Sequence, residues 1–108
     1  MAYGRLGVAS LATTNNTTIY TVPVTCKYAE ISIYVLNSQA SDATVEIAIA
    51  LADTPVVGEY IEKGVIIPRS GGSLETTGHL ASVGEKIVVK SSVTGLDIRV
   101  QGKEITKT

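Results

Sequence analysis

Alternation of apolar and polar positions dominates the middle of the chain. In "ATVEIAIAL", Val45, Ile47, Ile49 and Leu51 fall on one parity, and Thr44, Glu46, Ala48 and Ala50 on the other. A period of two puts each set on one face of a strand, whereas 3.6 residues per turn would scatter the same apolar residues around a helix. "YAEISIYVL" sets Ala29, Ile31, Ile33 and Val35 against Glu30, Ser32, Tyr34 and Leu36, and "LDIRVQ" sets Leu96, Ile98 and Val100 against Asp97, Arg99 and Gln101. Fainter versions in "TTIYTV", "EYIEKGVII", "SLETTG" and "EKIVVKSS" predict further strands, the second broken or bulged at Gly64. Turn formers separate them: Pro23, "NSQASD", "DTP", "PRSGG", "SVGE" and "VTG".

About seven to eight short strands at this spacing, with no helical period between them, predict an all-β fold of two antiparallel sheets packed face to face. Both an immunoglobulin-like and a jelly-roll sandwich satisfy the pattern. Tryptophan is absent and there is one cysteine, so the buried Trp and inter-sheet disulfide of antibody domains are missing and the comparison concerns architecture alone. Two ends lie outside the alternation. Residues 1–16 hold "GRLG" and a Thr/Asn run, and residues 103–108 hold "KEITKT". The expected organisation is an N-terminal arm over 1–16, a sandwich domain over 17–102 and a C-terminal tail over 103–108. Such arms are dispensable for the isolated fold and free to order against a neighbouring subunit.

Composition sharpens the core. Val, Ile and Thr make up 37 of the 108 residues, and Phe and Trp are absent, so the interior must be built from branched aliphatics standing on pleated sheets. A chain of this length closes one core and no more. Its net charge of -1, with acids and bases scattered singly, offers no stripe for phosphates, and neither nucleic acid nor an anionic membrane is an expected partner. No apolar run reaches the roughly 20 residues of a membrane helix. The start "MAYGRLGVAS" lacks a basic flank followed by an apolar core, which predicts folding in a reducing cytoplasm. Asn15 and Asn16 stand in the N-x-Thr frame, but without export that frame is inert.

Candidate chemistry is sparse. The lone His79 in "TGHLAS" has Ser82 nearby, but no nucleophile motif surrounds the pair. "GHLASVGEK" lacks the spacing of a phosphate loop, and Gly84 reads as a turn residue. Glu59 and Glu62, three apart on a strand, point to opposite faces and make a poor acid-base pair. The loops holding Asp42 and Asp53 lack the repeated acidic spacing of a calcium site. Cys26 reads as a small buried apolar residue. No catalytic residue, metal or cofactor is therefore expected. Tyrosine is the most suggestive side chain left, because its ring and hydroxyl suit core rims, protein interfaces and sugar contacts alike. The candidate interface residues are Tyr3, Arg5 and Leu6 in the arm and Tyr34 and Tyr60 on strands. Tyr60 beside Glu59 also suits a sugar.

An ordered set of short cues spans nearly the whole chain: "GRLG", "TTIYTVP", Asn37 after a long strand, "TP" followed by "EYIE", "IP" and "SLETTG", and "VGEKIVVKSS" leading to "IRVQG". The set resembles a group of small β-domain virion proteins of tailed bacteriophages, many from phages of cyanobacteria. That resemblance implies a non-enzymatic β-sandwich present in many copies on the virion. Its place would be the outer capsid, as a decoration or cement protein, or alternatively a tail, baseplate or fibre module contacting host surface glycan. The implied partners are the major capsid protein and neighbouring copies of the chain, as a trimer at a local threefold axis or a dimer across a twofold. The sequence departs from the group at Ser38, where a basic residue often stands, and in its extended "KEITKT" end.

Overall fold

The computed structural model describes residues 3–107, the side chain of Tyr3 excepted. Eight strands account for most of them: β1 (Tyr3–Ser10), β2 (Thr17–Thr21), β3 (Cys26–Asn37), β4 (Ala43–Ala50), β5 (Tyr60–Ile67), β6 (Gly72–Ser82), β7 (Lys86–Ser91) and β8 (Asp97–Thr106). All pair antiparallel, in one sheet of order β1-β8-β3-β6 and a second of order β2-β7-β4-β5. Strands β1 to β4 alternate between the sheets, β4 and β5 pair as neighbours in the second, and β6 to β8 alternate again, β6 closing the edge beside β3 while β7 and β8 insert centrally between β2 and β4 and between β1 and β3. This is the double Greek key of an eight-stranded jelly roll, and the strand order thereby decides between the two sandwiches that the alternation allowed.

The inner faces follow the period of two. Ala29, Ile31, Ile33 and Val35 of β3, with Ile98 and Val100 of β8, meet Val45 and Ile47 of β4 and Ile87 and Val89 of β7 in one aliphatic core. Each such side chain contributes roughly 1.5–3 kcal/mol by leaving water. Bulges adjust the fit. The β4–β5 register slips between Val45 and Glu46, skipping Gly64 of β5, whose φ of 75° suits glycine.

Two expectations change. Residues 3–10 are not an arm, because they pair along β8 from Tyr3↔Lys103 to Ser10↔Asp97. The alternation there is masked by a register shift between Arg5 and Gly7, which turns Leu6 inward against the core, and Leu11 beyond it is 2% exposed. Likewise residues 103–106 extend β8, with Lys103 opposite Glu30 and Thr106 opposite Cys26. Residues 1, 2 and 108 of the expected arm and tail lie outside the described residues.

The second change concerns β4. Ala48 and Ala50, on the parity of Thr44 and Glu46, are fully buried with Val88 under Tyr60, while Leu51, on the parity of Val45 and Ile47, is exposed. Their parity is as expected, but the 51–59 loop folds back across that outer face. Asp53 pins it there, accepting a hydrogen bond from the Thr18 hydroxyl and lying 3.9 Å from Lys86 Nζ. Small alanine side chains let the loop come close. Leu51 has left the strand by then.

Candidate functional site

The strand connections sort into two ends. The β1–β2, β3–β4, β5–β6 and β7–β8 loops meet at one, knitted by Gln39: its amide donates to the Gly95 carbonyl at 3.2 Å, and its own carbonyl accepts from Ser70 N–H at 2.9 Å. Asn37 anchors the same end. Fully buried, its side-chain amide donates to the carbonyls of Ser41 and Ile67 at 2.9 and 3.0 Å, and its oxygen accepts from Gln39 N–H at 3.0 Å.

The β2–β3, β4–β5 and β6–β7 loops form the other end, where Val22 N–H and Gly84 N–H exchange hydrogen bonds with the carbonyls of Glu85 and Val22. This end is apolar where it meets water. Val57 is 95% exposed, Val24 77%, Leu51 71% and Val56 62%, with Val83 beside them in the third loop. A loop tip has no need of branched aliphatics for its own folding, and aliphatics on three loops at one end make that end a candidate contact surface. The β4–β5 loop is nonetheless well braced. Glu59 accepts from Val56 N–H at 2.8 Å and from Leu51 N–H at 3.2 Å, which holds Val56 and Val57 outward on a fixed frame.

A second surface lies on the outer face of the β1-β8-β3-β6 sheet. Register places Val8, Arg99, Tyr34 and Glu75 side by side across its four strands, with Ser10, Asp97, Leu36 and Ser73 in the adjoining row. Together they line a groove of about 450 Å³. Gln101 Nε2 lies 3.4 Å from the Tyr34 hydroxyl. The neighbouring Glu75 carboxylate raises the pKa of that hydroxyl by favouring its neutral, hydrogen-bond-donating form, with desolvation adding to the effect and Ser32 and Arg99 opposing it.

The candidate residues separate accordingly. Arg5 and Tyr34 share the outer face of the first sheet, Arg5 next to Gln101 in the row beyond Tyr34. Leu6 is partly buried and packs against the core, which leaves it less free for an interface than Arg5. Tyr60 lies on the opposite sheet, where it covers Ala48 and Val88 and takes Lys63 Nζ over its ring at 4.5 Å. Its neighbour Glu59 is engaged by the loop N–H groups, so the Tyr60–Glu59 pairing for a sugar is not free to act. Tyr3 is placed by its backbone opposite Lys103, and its side chain lies outside the described residues.

Some of the groups weighed for chemistry make local structural contacts. His79 Nε2 lies 2.7 Å from Thr76 Oγ1, and Ser82, on the same strand, donates its backbone N–H to Glu85 at 2.6 Å. Asp42 accepts from Arg69 N–H at 2.9 Å. Among the described residues no group of three His, Cys, Asp or Glu could hold a metal, and no helix is long and apolar enough to cross a membrane. Sequence reasoning missed the exposed valines. The signal was present in "DTPVVGEY", where two β-branched residues stand between Pro55 and Gly58 and so outside any strand.

No protein-family model and no curated protein matches the chain. Among solved structures it is similar to a carbohydrate-binding module of lichenase 5A from Cellvibrio mixtus, determined with cellotriose, at 18% identity over 92% of this chain and 73% of that one, with a TM-score of 0.40. The jelly roll itself rests on the strand order and pairing of this chain.

Proposed function

We propose that the protein is a non-enzymatic structural component of a tailed-bacteriophage virion, a decoration or cement protein that binds the outside of the capsid and bridges neighbouring capsid subunits. The observation that carries this reading is the apolar end: Val24, Leu51, Val56 and Val57 project into water from loops that other contacts hold in place. The ordered sequence cues point to virion proteins, and a jelly roll is an architecture that capsid and lectin domains both use. A small domain docking by one end makes a modest interface. Many copies on a lattice, or a dimer or trimer binding at a symmetry axis, convert it into firm attachment through effective concentration.

The test is binding of the purified protein to expanded, undecorated capsids. Near-stoichiometric uptake and greater resistance of the decorated particles to heat support the proposal, and absence of uptake overturns it. A second reading, a tail, baseplate or fibre module contacting host surface glycan, draws on the Tyr34 groove. Binding to cell-surface polysaccharide without affinity for capsids favours it.

A further inference from the structure

The groove on the outer face of the first sheet has a composition unlike that of the apolar loops. Its central row runs Val8, Arg99, Tyr34, Glu75 across four strands, and Asp97 lies in the next row between Ser10 and Leu36. An aromatic ring thus sits between a guanidinium and a carboxylate, with aliphatic surface from Val8 and Leu36 on both flanks. We infer that this groove binds a short chain of neutral pyranose sugars laid across the strands.

The chemistry of the class fits each feature. A pyranose presents apolar C–H faces and a rim of hydroxyls, so it needs an amphipathic ring such as Tyr34 together with planar donors and acceptors at its edge. Arg99 supplies donors in a fixed fork, and Glu75 and Asp97 accept from paired hydroxyls. Charge selects among sugars. Arg5 and Arg99 offset Glu75 and Asp97, so the face carries no excess to hold a uronate or a phosphorylated chain. Length follows from the sheet: three interstrand steps from β1 to β6 span about 14 Å, room for a trisaccharide. The contact between Gln101 and the Tyr34 hydroxyl, with Glu75 directly opposite on β6, orients the ring before a ligand arrives, which lowers the ordering cost of binding.

This inference rests on the glycan-contacting reading of the same groove, which it narrows to neutral sugars, and not on the capsid reading. The Tyr34 row sits six residues along β3 from Tyr28, close to the Asn37 end, whereas the exposed valines occupy the opposite end. The experiment follows backbone amide shifts of the 15N-labelled protein during titration with neutral α- and β-linked trisaccharides of glucose, mannose, galactose and xylose, with trigalacturonate as the anionic control. The expected result is saturable shifts confined to residues 8–10, 34–36, 73–75 and 97–99 for at least one neutral sugar, in the millimolar range typical of a shallow site. Tyr34→Ala should weaken that binding at least about tenfold, a loss of roughly 1.4 kcal/mol. Glu75→Gln, which keeps the shape of the side chain, should weaken it as well, and Tyr60→Ala should leave it unchanged. Shifts absent for every neutral sugar, shifts mapping to the Tyr60 face, or preference for trigalacturonate would overturn the inference.

Discussion

Asn37 is fully buried and makes three side-chain hydrogen bonds, one of them wholly inside the protein. Its amide is shared between the carbonyls of Ser41 and Ile67, so a single side chain fixes the ends of the β3–β4 and β5–β6 connections. Asn37→Ala strands the buried Ile67 carbonyl, at a cost of about 1–3 kcal/mol if unsatisfied, and also frees the Ser41 carbonyl and the Gln39 N–H, whose part-buried positions let water recover some of their loss. The expected loss is about 2–4 kcal/mol, read as a lower urea midpoint with an unchanged slope. Tyr20 makes a different kind of contact. Its hydroxyl donates to Glu104 at 2.6 Å and joins β2 of one sheet to β8 of the other. Burial first, then the Glu104 hydrogen bond and charge, hold its pKa well above the usual tyrosine range. The neutral form is therefore the one the fold favours. Its contribution is complete below the unfolded-chain value near 10 and fades as pH rises above that, by at most about 1.4 kcal/mol per pH unit. Tyr20→Phe should flatten the fall in stability between about pH 10 and 12 relative to the parent protein, as followed by urea titrations at each pH. Equal slopes for the two proteins would rule out the coupling.

At the scale of elements, β1 decides how the molecule can be cut. It covers the free edge of β8 and carries Leu6 and then Leu11 into the core, so removal of residues 1–16 exposes both an unpaired strand and aliphatic surface. The truncated chain should fail to fold, shown by loss of a cooperative melt and of the parent protein's compact elution peak on gel filtration. A stable truncated sandwich would mean that β8 needs no partner on that side. The same strand shows where the sequence was legible and where it was not. Strands β3, β4 and β8 alternate over enough residues that their inner faces were readable directly, because a half-buried sheet imposes a period of two on both. In β1 the shift at Arg5/Gly7 breaks that period after a few residues, and glycines at 4 and 7 supply no side chain to mark a face. Burial of Ala48 and Ala50 was hidden for another reason, since it depends on a loop that returns from far along the outer face. Sequence parity reports which face a residue occupies. What later covers that face is a tertiary fact. For the groove, Tyr34 was legible as a candidate, but its alignment with Glu75, Arg99 and Val8 comes from pairing among four strands distant in sequence.

The whole molecule measures 47 × 28 × 22 Å, an elongated sandwich with knitted loops at one end and bare aliphatics at the other. That polarity makes the capsid proposal testable without disturbing the fold. Val24 and Val57 are 77% and 95% exposed, so a Val24→Ser/Val57→Ser double variant removes little buried surface and should shift stability by no more than about 0.5 kcal/mol. Against a capsid the same two side chains become buried. If each contributes even about 1 kcal/mol there, a single docking contact weakens by roughly thirtyfold. In an assembly that engages two or three copies together, the deficits add across the copies, and uptake by undecorated particles should fall far more steeply than for one isolated site. The measurement compares parent and variant for copies bound per capsid at matched concentration, with thermal melts of the free proteins as the control for folding. Loss of uptake with an unchanged melt assigns the apolar end to the shell. Full uptake by the variant would remove that end from the interface, and the outer face of the first sheet, with Arg5 and Tyr34, would then be the surface to substitute.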